Sequence, residues 1–136
     1  MHLIGNMLFL WVFADNIEAT VGSFKFVIFY VLGGIAAVFG HIYFNVNSSV
    51  PMIGASGAIS AVLGAYIVMY PHSRVKVLVF FITSFRIAAI FFLGFWIIQQ
   101  VISGMGDLNS VGEAAGVAWW AHIGGFAFGV IAGFFF

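Results

Sequence analysis

The chain has 136 residues, of which 64% are hydrophobic and only 6% charged, with four Lys and Arg balanced by four Asp and Glu. Its mean hydropathy is +1.20. A water-facing surface needs roughly 25% charged residues, so these numbers exclude a soluble domain; the zero net charge gives no footing for nucleic-acid binding, and the absence of cysteine excludes disulfides, thiolate chemistry and Cys-based metal sites. The chain reads as one polytopic, all-α membrane domain.

A spanning helix needs about 20 mostly apolar residues, and shorter ones serve inside a bundle. The first candidate covers residues 1–14. No basic stretch precedes it and no small-residue cleavage site follows it, so it reads as a span and not as a signal peptide. The second covers 24–44. The third covers 56–70 and stops before Pro71, which cannot continue a helix.

The fourth apolar stretch, 75–103, is too long for one span and carries Arg86 in its middle. An arginine at the bilayer centre costs at least ~2.5 kcal/mol. The span is therefore expected at 87–103, with 75–85 lying along the interface. The fifth covers 117–136. With these boundaries Lys25, Arg74, Lys76 and Arg86 share one side, which the positive-inside rule makes cytoplasmic. The amino end and the loops 45–49 and 104–116 then lie on the outer side. His2, Asn6, Ser56 and His122 collect near that outer face, although none was used to set the topology.

Polar groups inside hydrocarbon are costly, which makes an intramembrane histidine a functional candidate. His122 lies in the last span beside Ala121, Gly125, Gly129 and Gly133, which recur every four residues. At 100° per residue Gly129 and Gly133 fall within ~20° of His122 around the helix. Small residues let helices in lipid approach closely, so His122 is expected to point along a packing seam. Gly57, Ser60, Ala61 and Gly64 form a matching stripe on the third span, behind Ser56.

Ser56 opens that span, where unpaired backbone N–H groups and the positive helix end favour an anion. Gly54 permits backbone shapes closed to other residues. Taken alone, Ser56 reads as a helix cap and the glycines as packing. His2 and Asn6, spaced i, i+4, share a face of the first span and both can donate hydrogen bonds, so with the Ser56 amide they could hold an oxyanion. The four acids, Asp15, Glu18, Asp107 and Glu113, all fall outside the spans near His122. A Ser–His dyad is thus expected and not a triad with an acid. His41 is the rival base, near the outer end of the second span. His72, after Pro71, reads as solvated. A metal site from His2, His41 and His122 has no supporting ligand spacing.

His2-x-x-x-Asn6, Gly54-Ala55-Ser56-Gly57 and Ala121-His122-Ile123-Gly124-Gly125 continuing to Gly129 together resemble the rhomboid family of intramembrane serine proteases. Glu18 with Gly22, and Gly94-Phe95-Trp96, resemble it too. The resemblance implies Ser56 as nucleophile, His122 as general base, and His2, Asn6 and the Ser56 amide as the oxyanion hole. It implies transmembrane protein substrates cut near their outer end, at small residues beside helix-weakening ones, and no metal or organic cofactor. The family's core has six spans, and those here would be the second to the sixth. The first span and its loop with a Trp-Arg motif are missing, so the chain looks amino-terminally truncated. The expected setting is a prokaryotic cell membrane, with the site opening to the extracytoplasmic side. Two other readings stand beside the protease: an inactive rhomboid-like protein that binds membrane clients, and a small transporter. A transporter should show polar groups at several depths and an internal repeat, and no convincing repeat is present.

Overall fold

The computed structural model describes residues 2–47, 55–79, 83–109 and 118–136. They form five helices and one hairpin: α1 His2–Val21, α2 Ser23–Phe44, α3 Ser56–Met69, strands β1 Arg74–Val79 and β2 Thr83–Ala88, α4 Ala89–Asn109 and α5 Trp119–Gly133. By length and apolarity α2 and residues 89–108 of α4 can each cross a membrane, while α3 is an apolar helix of only 14 residues.

α3 is the axis of the bundle. Every residue from Gly57 to Tyr66 is buried, and α1, α2, α4 and α5 all pack against it. A helix that is apolar all round belongs inside a bundle, and its small residues let the neighbours close on it. The outer helices show the reverse. Trp11, Phe24, Phe39, Phe91 and Phe95 are all more than two-thirds exposed. Patches of this kind are not tolerated in water; hydrocarbon is the solvent that fits them.

The first helix runs a full two turns beyond the expected end at residue 14. Asp15 lowers the local hydropathy, yet Ile17 just after it is fully buried and Asn16 is tied to the bundle. Asn16 Nδ2 donates to the Tyr66 hydroxyl at 3.1 Å, and the Tyr66 hydroxyl donates to Ser73 Oγ at 3.1 Å. The Tyr70 hydroxyl donates to the Asn16 carbonyl at 3.0 Å, and the Thr20 and Tyr70 hydroxyls bond each other. The helix ends at Gly22, whose φ of +88° is open to glycine and strained for other residues. One residue in that conformation suffices: the Gly22 N–H still donates to Glu18 (2.8 Å) and its carbonyl already accepts from Phe26 of α2 (2.9 Å).

Residues 75–79 and 83–85, expected along the interface, pair instead as two antiparallel strands of a hairpin that sets Arg74 opposite Ala88 and Lys76 opposite Arg86. Its base is closed by Ala89 N–H to Ser73 O (2.7 Å) and Ile90 N–H to Pro71 O (3.0 Å). These bonds start α4 at Ala89, two residues later than expected, and it continues to Asn109, past the expected end at 103.

At the hairpin end the core is aromatic. Phe13 meets Tyr66 edge-on with centroids 4.9 Å apart, and Phe9 and Phe92 stack around it. At the Ser56 end it is made of small residues, and the two halves divide the labour: one anchors the bundle and the other brings backbones together.

Candidate active site

Ser56 is the first residue of α3, preceded by Ala55, whose carbonyl accepts the first bond of the helix from Ile59 N–H at 3.0 Å. The N–H groups of Ser56, Gly57 and Ala58 therefore have no partner inside the helix, and they sit at its positive end.

α5 is brought against α3 by missing side chains. A Cβ on Gly125 would collide with the Gly57 carbonyl oxygen, and one on Gly129 with the Ala61 carbonyl oxygen. From the other side, a Cβ on Gly64 would collide with the Phe126 carbonyl oxygen. Gly133 and Ala65 continue the same contact. The two stripes read from the sequence therefore meet face to face. α2 closes on both: a Cβ on Gly57 would stand 2.5 Å from Ala37 Cβ, and one on Gly40 would stand 2.8 Å from the Trp120 carbonyl oxygen.

This approach brings His122, one turn before Gly125, to Ser56. His122 Nε2 lies 3.0 Å from Ser56 Oγ. The other ring nitrogen, Nδ1, lies 2.8 Å from Oε1 of Gln100 on α4. Gln100 is buried, at 4% exposure, and Trp96 one turn earlier sets its ring 5.9 Å from the imidazole. Gln100 is not among the residues the sequence marks as a third group, because a count of acids does not reach it. The signal was present, since a glutamine deep in an apolar span is costly unless partnered.

The other sequence-predicted residues fall as follows. Asn6 is half-buried on α1, and His2 opens the same helix, its side chain lying outside the described residues along with all of Gly54 and Glu113. His41, the rival base, keeps its Nδ1 buried without a partner among the described residues; the imidazole that Ser56 bonds is that of His122. His72 is exposed in the turn before the hairpin. Ser60 donates to the Ser56 carbonyl at 2.7 Å. A cavity of about 240 Å³ adjoins Ser56 between α2, α3 and α5, with Gly34, Ala37, Ala58 and Ala121 in its wall.

Residues 1–136 match the family model of the Rhomboid domain. The chain belongs to the rhomboid family. Rhomboids are membrane-embedded proteins, in keeping with the lipid-facing exteriors of α1, α2 and α4. Rhomboid protein 1, mitochondrial, of Saccharomyces cerevisiae is 29% identical over 98% of this chain and 37% of its own length. The human presenilin-associated rhomboid-like protein, mitochondrial, is 27% identical over 95% of the chain and 32% of its own. Rhomboid protease GluP of Bacillus subtilis is 33% identical over 81% of the chain and 21% of its own. The chain thus spans about a third or less of the length of these rhomboid relatives. They come from mitochondria and from a bacterium alike, so membership does not assign the prokaryotic membrane expected from the sequence. No solved structure matches the chain.

Proposed function

We propose that this rhomboid is a multi-pass intramembrane serine endopeptidase that cuts transmembrane segments of other proteins near their outer end. The observation that carries the reading is the 3.0 Å contact between Ser56 Oγ and His122 Nε2, at the positive end of a buried helix. A serine hydroxyl is a weak nucleophile until a base takes its proton, and hydrogen-bond contact with imidazole is the arrangement that does so.

In the proposed reaction Ser56 Oγ attacks the scissile carbonyl carbon as its proton passes to His122 Nε2. The carbonyl electron pair moves onto oxygen, and this oxyanion is held by the Ser56 N–H with Asn6 and His2. Collapse breaks the C–N bond, and His122 returns the proton to the leaving amine. Water then adds to the acyl ester by the same route, releasing the new carboxylate and restoring Ser56. No step calls on a metal or an organic cofactor. Nearest Ser56 the cavity wall is formed by Ala55, Gly57 and Ala58, with Tyr30, Val31 and Val38 also lining it, an apolar surround that suits a small apolar side chain next to the cut. Helix-weakening residues in the substrate are needed because a helix hides its peptide bonds. The proposed outward-facing site follows from the basic residues at the opposite end of the helices.

The test is cleavage in proteoliposomes of a reporter whose single transmembrane segment carries small and helix-weakening residues near its outer end. The expected result is a cut in that outer part, absent from Ser56→Ala. An uncut reporter overturns the reading in favour of a client-binding or transport role, and one cut equally by Ser56→Ala removes Ser56 as the nucleophile and the reading with it.

A further inference from the structure

We propose that Gln100 is a positioning residue of this site, whose side-chain carbonyl oxygen fixes the His122 imidazole in the tautomer that presents an unprotonated Nε2 to Ser56. The assignment rests on the protease reading and extends it from two groups to three.

A neutral imidazole carries one N–H, and an amide oxygen can only accept. With Gln100 Oε1 at 2.8 Å from Nδ1, the ring proton belongs on Nδ1. Nε2 is then a lone pair, 3.0 Å from the Ser56 hydroxyl, and can accept its proton. The bond made by one ring nitrogen thereby sets the role of the other. When Nε2 takes the proton, the ring becomes cationic and the Nδ1–H···O bond becomes charge-assisted and stronger, so the help is greatest where the reaction needs it.

Two features make the arrangement more than a chance contact. Gln100 is 4% exposed in an apolar helix, where an unpaired amide is expensive. Trp96, on the same face of α4, flanks the same ring and restrains its tilt. The site has the layout of a Ser–His–acid triad with a neutral amide in the acid's place. A reversed amide would offer N–H groups to Nδ1 and enforce the opposite tautomer, which cannot serve as base toward Ser56. The orientation of one amide therefore decides whether the base works, and it can be tested.

The test uses the full chain in detergent and a fluorophosphonate probe. Ser56 Oγ displaces fluoride from phosphorus and its proton passes to His122, so the maximal rate of labelling (kinact) reports the base and the half-saturating concentration (KI) reports binding. Gln100→Met keeps the length and removes the oxygen; Gln100→Glu keeps the oxygen and removes the N–H groups. The expected result is a kinact lowered by about tenfold to a hundredfold in Gln100→Met with KI unchanged, the range typical of removing an outer partner of a histidine. Gln100→Glu should stay within about threefold of wild type, because an acceptor is all that is required. A Gln100→Met protein that labels like wild type overturns the proposal. So does a Gln100→Glu protein as slow as Gln100→Met, which would assign the contact to the N–H groups or to packing. Thermal unfolding is measured beside each variant, and if Gln100→Met does not fold, Gln100→Glu alone decides. Absence of labelling at Ser56 in the wild type is a different failure: it removes the protease reading itself, and the role of Gln100 with it.

Discussion

Gly125 of α5 and Gly57 of α3 lie backbone to backbone, so close that a Cβ at position 125 would overlap the Gly57 carbonyl oxygen. Gly57 follows Ser56 directly and Gly125 stands one turn after His122. The distance between the hydroxyl and the imidazole is thus set by how nearly two bare stretches of helix can touch.

Substituting this seam should harm stability and chemistry together. Gly125→Ala is expected to cost about 1–3 kcal/mol, as overpacking does where only backbone can yield, and to slow fluorophosphonate labelling. Gly94→Ala is the control, since a Cβ there meets nothing within 4 Å. Alanine's higher helix propensity makes it neutral or stabilising by up to about 1 kcal/mol. Thermal unfolding in detergent and labelling rates measured on both proteins check the contrast.

The polar cluster at the hairpin end should matter for stability alone. Tyr66 is 3% exposed and its hydroxyl joins Asn16 to Ser73. Tyr66→Phe removes both bonds and should destabilise by about 1–3 kcal/mol. Labelling of the folded protein should stay at the wild-type rate, because Tyr66 lies near the far end of α3 from Ser56. A lower melting temperature with unchanged labelling is the expected pair of results.

In the proposed reaction Asn6 helps to hold the oxyanion. Loss of a single donor of that kind lowers the rate by about 10²–10³-fold, so Asn6→Ala should slow reporter cleavage by that order and leave the melting temperature nearly unchanged. Reporter cleavage at the wild-type rate would remove Asn6 from the site.

Much of this was legible in the chain. Gly125, Gly129 and Gly133 marked one seam and Gly57, Ala61 and Gly64 the other, because spacing by four on a helix leaves few ways for small residues to be used in lipid. Ser56 and His122 stood out because polar groups in apolar helices need a reason. Three features are not carried by the sequence pattern, each for a physical cause. Hydropathy alone ends α1 at residue 14, whereas Ile17 and Asn16 are held in the helix by tertiary contacts. The hairpin is masked in the sequence because Arg86 within a long apolar stretch signals a membrane boundary, while the period-two run of Val75, Val77 and Val79 carries the competing strand signal. Gln100 is uncharged, so a count of acids does not mark it as a partner of the histidine.

Whether His122 makes Ser56 a nucleophile is read out by site-mapped fluorophosphonate labelling of the wild type and His122→Ala. Ser56 should be phosphonylated in the wild type, and the rate should fall by at least about 10³-fold without the imidazole. A Ser56 that stays unlabelled in the wild type, or labels as fast in His122→Ala, would contradict this role of His122.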